Sequence, residues 1–307
     1  LLGMTIGEAF DQTVALHGDR EAIISIHQNM RLTYRELSEQ VNMAAKALMA
    51  LGLQKGDRIG IWSPNNLQWL ITQYASAKIG SVLVTINPAY RSHELAYVLK
   101  QSGCRALVIQ NPFKTSDYEG MVEELCPQLS GCQPGHLAHS EFENLNSVIS
   151  MTSSNVTGIY DWQAMLARAP STSDDEFKMR QQQLDMDEAI NIQYTSGTTG
   201  FPKGATLSHH NILNNGYFTA GTMNFTEIDK LVVPVPLYHC FGMVMSNLAC
   251  ASYGATMVLP GYVFTTGSVL QAVEDEKCTA LHGVPTMFIA ELNDPEIDKY
   301  NLSTLRT

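Results

Sequence analysis

"DRIGIWSPNNLQWLITQYASAKIGSVLVTINPAYRSHELAYVLKQSGCRALVIQ" (residues 57–110) is the stretch whose reading decides the fold class. It opens on a short apolar run, "DRIGIWS", that reads as a strand. "NLQWLITQYASAKIG" follows and predicts an amphipathic helix ending at Gly80. "SVLVTINP" reads as a strand stopped by Pro88. "SHELAYVLKQSG" reads as a helix with Ser92 as N-cap and Gly103 just past its end, and "CRALVIQ" as a third strand. Strands that alternate with helices over short connections pair in parallel, so the segment predicts a doubly wound sheet.

Upstream, "EAIISIHQNMRLTY" (21–34) reads as two short strands around a turn at Gln28–Asn29. Thr33 and Glu36 form a capping box. Leu37, Val41, Ala44, Leu48 and Leu51 recur behind it at helical spacing, and Gly52 stands where the helix should stop. Downstream, residues 111–188 are rich in Ser, Asn, Gln and Gly, with short helical pieces such as "DWQAMLARA". "STSDDEFKMRQQQLDMDE" reads as a solvated connector.

The alternation resumes with the strand "AINIQY". The later pieces are a helix capped by Ser208, the strand "KLVVPVP", the helix "GMVMSNLACASYG" and the strand "ATMVLP". "SVLQAVEDEK" (helix), "TALHGVP" (strand) and "TMFIAELND" (helix) complete the series. A chain of 307 residues is more than one core usually serves. The expectation is therefore an α/β protein with doubly wound, mainly parallel sheets in two lobes, residues 1–187 and 188–307.

Composition narrows the partners. Apolar residues make up 45% and charged residues 16% of the chain, as in ordinary globular domains. The net charge of −11 disfavours nucleic acid and means that any phosphate site has to be made locally. Six cysteines are scattered with no C-x-x-C pair, which reads as free thiols in a reducing compartment. The glycosylation-like matches at Asn155, Asn224 and Asn301 read as chance. The longest apolar stretch (242–259) is broken by Ser246, Asn247 and Gly254 and does not read as a membrane span.

"YTSGTTGFPKG" (194–204) lies directly after a strand, where ligands bind in α/β sheets. Gly197 and Gly200 let backbone N–H groups approach a ligand. Thr195, Ser196, Thr198 and Thr199 offer hydroxyl donors, and Lys203 adds one positive charge. Such a set suits a polyphosphate. Pro202 before the lysine and Gly204 after it exclude a Walker A loop, and the spacing is not G-x-G-x-x-G. Composition alone also fits a polar surface turn. His239, between a strand and a helix, reads on its own as a core histidine bonded to a backbone carbonyl. The adjacent His209 and His210 point differently and read as structural.

"YTSGTTGFPKGATLSHHN" is similar to the phosphate-binding signature of the AMP-forming acyl-CoA synthetases, the adenylate-forming superfamily. "LTYRELSEQ", "GDRIGIWSPN", "VTINPAY", "PLYHCFG" and "HGVPTM" extend the resemblance across the chain. Its detail most resembles the medium-chain branch typified by acyl-CoA synthetase family member 2 and bacterial relatives. The resemblance implies that a fatty carboxylate attacks the α-phosphorus of ATP, giving acyl-AMP and pyrophosphate, and that coenzyme A then displaces AMP. It implies that Thr195, Ser196, Gly197, Thr198, Thr199, Gly200, Phe201, Pro202 and Lys203 grip the β- and γ-phosphates, with Mg²⁺ bridging phosphate oxygens. It places His239 beside the reacting carboxylate and acyl pocket, with Gly283 and Thr286 along the acyl tunnel. The compartment it implies is the mitochondrial matrix for a eukaryotic source and the cytoplasm for a bacterial one.

Family motifs for ribose and adenine, and the C-terminal domain with its catalytic lysine, have no counterpart within these residues. The expectation is that residues 1–307 are the first part of a larger enzyme and nearly inactive alone. Two alternatives stand beside it. One is a non-catalytic module that binds ATP or fatty acid; the other is an adenylating enzyme with a different acceptor.

Overall fold

The fold was analysed in a computed structural model that describes residues 1–195 and 202–307. The chain opens with α1 (Ile6–His17), β1 (Glu21–Ser25), β2 (Met30–Thr33) and α2 (Tyr34–Ala50). The stretch that begins at Asp57 then gives β3 (Arg58–Trp62), α3 (Leu67–Ile79), β4 (Val82–Ile86), α4 (Ser92–Ser102) and β5 (Ala106–Ile109). Next come α5 (Tyr118–Leu125), β6 (Ser147–Ser150), β7 (Ile159–Asp161), α6 (Trp162–Leu166) and α7 (Asp174–Gln182). The hairpin β8 (Ala189–Thr195) and β9 (Lys203–Ser208) leads into α8 (His209–Thr222) and β10 (Lys230–Val232). A π-helix (Phe241–Leu248) runs into α9 (Ala249–Tyr253), followed by β11 (Thr256–Leu259), α10 (Thr266–Glu276), β12 (Ala280–Leu281) and α11 (Pro285–Leu292).

Two sheets form. The larger has the order β7-β6-β5-β3-β4-β8-β9, and the smaller β12-β10-β11-β1-β2. Every neighbouring pair is parallel except β8–β9 and β1–β2. The α/β, mainly parallel expectation therefore holds. The division at residue 187 does not separate the sheets. β8 and β9 complete the larger sheet from beyond that point, and β1 and β2 complete the smaller one from the start of the chain. Such pairings are non-local, and local periodicity carries no trace of them.

Alternation along the strands builds the layers. Ile59 and Ile61 of β3 face one core while Trp62 faces another; Leu83 and Val84 of β4 divide the same way. In the smaller sheet Ile23, Leu231 and Met257 join Ile59 and Ile61 in the shared core. Their neighbours Ile24, Val232 and Val258 face α10 instead. Side chains of α1, α2, α3, α8 and the π-helix fill the shared core, so these helices form a middle layer between the sheets. On the outer face of the larger sheet lie α4 and α5.

Several local expectations are met. Thr33 and Glu36 close a capping box, Ser208 caps α8, and Gly80 and Gly103 end their helices at φ of +72° and +61°. His209 is buried and accepts the Ile6 N–H at 3.1 Å through Nδ1, a structural role.

Others are corrected. Helix α3 is not amphipathic: all its residues but Gln68 are buried, because it runs through the middle layer. Arg91, not Ser92, is the N-cap residue of α4, and Ser92 Oγ bonds Glu124 instead. The polar connector contains α7, set by a Ser173–Glu176 capping box and anchored by buried Phe177. The helix expected over 242–254 begins as a π-helix, in which Ser246 Oγ donates to Phe241 O at 2.9 Å, five residues back.

Candidate phosphate loop and substrate cleft

Strand β8 brings the hydroxyl- and glycine-rich loop to the carboxyl edge of the larger sheet, one strand from β4. Ser196, Gly197, Thr198, Thr199, Gly200 and Phe201 lie outside the described residues. Both flanks of the loop are described. Thr195 pairs with Lys203 and Tyr194 with Gly204 across the hairpin, and Thr195 Oγ1 donates to Lys203 O at 3.5 Å. Lys203 is therefore the first residue of a strand, which the sequence reading had placed in the loop. From α4, Tyr97 Oη donates to Pro202 O at 3.2 Å. A Cβ on Gly204 would meet Ile192 Cγ2 at 2.9 Å, so the hairpin closes this tightly only with glycine there.

Beside the loop is a cleft of about 390 Å³, lined by segments that follow strands of both sheets. Pro64 and Asn65 follow β3, Asn87 and Pro88 follow β4, and Phe113 and Lys114 follow β5. Across from them stand Pro236 and Tyr238 after β10, and Tyr262 and Phe264 after β11. This is where parallel sheets place their ligands, since the strand ends leave a crevice with free backbone groups.

Asn65 ties the two walls together. Its buried amide donates to Val235 O at 2.9 Å and accepts the Leu237 N–H at 2.8 Å. From β8, Gln193 Nε2 donates to Tyr238 O at 2.7 Å, which links the strand beneath the loop to the opposite wall. The lining is mostly apolar. Its charged members are Arg91, which donates to Ser116 Oγ at 3.1 Å, and Lys114; no carboxylate lines it among the described residues. In a chain of net charge −11 the cleft is thus a local cationic exception.

His239 is exposed rather than a core residue. Its Nδ1 accepts the Phe241 N–H at 3.2 Å, which leaves Nε2 to carry the proton of the neutral ring. Gly283 packs under the Phe288 ring, with its notional Cβ 3.1 Å from that ring, and Thr286 is exposed in the first turn of α11. These three residues do not line the cleft; their neighbours Tyr238 and Met287 do. Sequence reasoning missed Asn65, Arg91, Lys114, Tyr262 and the buried His282. His282 Nδ1 pairs with Ser246 Oγ at 2.8 Å, and burial holds its pKa at about 4. The one available signal was position, since "SPN" and "NPAYR" each follow a strand.

Mg²⁺ finds no fitting cage among the described residues. They contain no cluster of three His, Cys, Asp or Glu side chains, and no step is routed through a protein-held ion. No helix among them is long and apolar enough to cross a membrane.

Comparison with known proteins is consistent with this geometry. YngI of Bacillus subtilis (strain 168), named provisionally as an acyl-CoA synthetase, is 45% identical over 307 residues, covering 100% of this chain and 56% of YngI. The mitochondrial medium-chain acyl-CoA ligase ACSF2 of Homo sapiens is 40% identical over 305 residues, 98% of this chain and 50% of that protein. The chain thus spans about half the length of these curated relatives. Among solved structures, the N-terminal domain of FACL13 from Mycobacterium tuberculosis superposes with a TM-score of 0.81 at 22% identity, covering 99% of this chain and 68% of that one. The anthranilate CoA ligase AuaEII in complex with anthranoyl-AMP gives 0.83 at 20% identity, covering 100% and 54%. These two likenesses concern the fold. Residues 10–307 match the family described as AMP-binding enzyme, and the chain belongs to that family.

Proposed function

We propose that this chain forms the phosphate-gripping and substrate-receiving part of an AMP-forming acyl-CoA synthetase that acts on medium-chain fatty acids. The observation that carries the reading is the placement of the signature loop. It leaves β8 at the same sheet edge as the cleft, and Gln193 joins the two.

In this reading, residues 195–203 hold the β- and γ-phosphates of ATP. Hydroxyls, backbone N–H groups and the Lys203 ammonium steady the pyrophosphate as it leaves. The fatty carboxylate attacks the α-phosphorus, and coenzyme A sulfur later displaces AMP from the acyl carbon. The apolar cleft with Arg91 and Lys114 suits reactants that combine an apolar arm with an anionic group. His239, Gly283 and Thr286 stand on the acyl side. Medium chain length rests on the likeness to ACSF2, as does a mitochondrial location if the source is eukaryotic; YngI is bacterial.

Calorimetry with ATP tests the grip. The 307-residue chain is expected to bind ATP, and Lys203→Ala to weaken binding about tenfold, the effect of one lost charge-assisted contact. Octanoate-dependent pyrophosphate exchange by this chain alone is expected to be close to background. No ATP binding, or equal binding by Lys203→Ala, overturns the reading.

A further inference from the structure

Helix α11 is inside out. A surface helix normally turns its apolar stripe to the core. Here the buried residue is Glu291, at 5% exposure, while Val284, Phe288, Ile289 and Leu292 are 38%, 38%, 59% and 73% exposed. Those four follow one another at spacings that share one side of a helix. Glu291 Oε1 is buried without a hydrogen-bond partner, an uncompensated acceptor of the kind folded proteins rarely keep.

The neighbouring sheet edge is open as well. β12 is the edge strand of the smaller sheet, and Thr307 meets its outer side. Thr307 N–H donates to Thr279 O at 3.3 Å, and Leu281 N–H donates to Thr307 O at 3.2 Å. Two bonds that straddle Ala280 in this way are the pattern of a parallel neighbour. An exposed edge beside an apolar stripe is a template for another strand.

We propose that this face is a docking surface for polypeptide from the part of the longer relatives that lies outside their match to this chain. That segment adds a strand parallel to β12 in the register Thr307 sets. It lays apolar side chains on the α11 stripe and gives Glu291 a hydrogen-bond donor. The match to about half of each relative's length supplies the occupant. A second copy of this chain fits poorly. A two-fold dimer would pair β12 with itself antiparallel, against the register at Ala280, and would bring two Glu291 acceptors together.

The test co-expresses this chain with the unmatched part of YngI as a separate, tagged chain. The two are expected to co-purify. Ile289→Glu with Leu292→Glu, both at exposed positions, is expected to cut recovery at least tenfold while leaving the thermal unfolding of this chain unchanged. Where the YngI part is insoluble alone, its rescue into the soluble fraction by the original chain and not by the double variant is the supporting result. Failure of two soluble chains to associate, association indifferent to the double variant, or no rescue overturns the proposal. Self-association of the 307-residue chain that the double variant abolishes also overturns it, by assigning the face to a second copy. No nucleotide or acyl substrate enters the readout, so a failed ATP-binding test leaves this result standing.

Discussion

Helices α3 and α11 are both rich in apolar residues, and the fold treats them in opposite ways. Helix α3 is enclosed between two sheets, and its polar groups are partnered there. Tyr74 Oη donates to Asn247 at 3.0 Å, Asn247 donates to Gln73 at 2.7 Å, and Lys78 bonds Asp11 and Asn42. Helix α11 sits at a sheet edge with its apolar residues in solvent and a carboxyl inside. The layer a helix occupies, rather than its own sequence, decides which side chains are buried.

The largest effect that could break this comparison is in the middle layer. Leu70→Ala is expected to lower unfolding free energy by about 3 kcal/mol, the cost of a cavity in an enclosed site. Chemical denaturation measures it, and a loss as small as that at an exposed position would refute the enclosure of α3. Asp11→Ala comes next, at about 2 kcal/mol, below the range for a wholly buried pair because Asp11 is half-exposed. It strands the Lys78 ammonium, whose pKa burial already lowers despite the neighbouring Asp11. Adding Lys78→Met should recover most of the loss, and no recovery would place the cost elsewhere.

Glu291→Gln sharpens the contrast from the other side. Burial raises the Glu291 carboxyl to about 7 in the folded chain, above its ordinary value of 4.5. The folded state therefore holds the proton more tightly than the unfolded one. Its contribution is full below pH 4.5 and is lost as pH rises through about 7. The glutamine variant should be more stable than the parent at pH 8, by roughly 1 kcal/mol, and equal to it at pH 4. A constant difference across that range would remove titration as the cause. The smallest expected change is Leu292→Ala, within about 0.5 kcal/mol, as for other solvent-facing positions.

Local chemistry was legible in the sequence wherever it acts within a few residues. The Thr33–Glu36 and Ser208 caps, the stops at Gly80 and Gly103, and the alternation from Asp57 to Gln110 are of this kind. What was hidden depends on distant partners. Nothing near Glu21 indicates that β1 will pair with β11, so the lobe division was drawn in the wrong place. The cleft was hidden for the same reason, since its walls follow strands separated by more than a hundred residues. A charged lysine in α3 suggested a solvent face because its partners, Asp11 and Asn42, come from two other helices.

Asn65 gives the cleft a mechanical character. One buried amide holds backbone groups of the opposite wall on both sides of Pro236, so it acts as a rivet and not as a hinge. Rocking one sheet against the other would have to break both bonds at once, with no water at hand to replace them. The floor of the cleft therefore keeps a fixed gauge. Any adjustment to ligands of different girth falls to the rim, where Lys114 and Tyr262 are exposed.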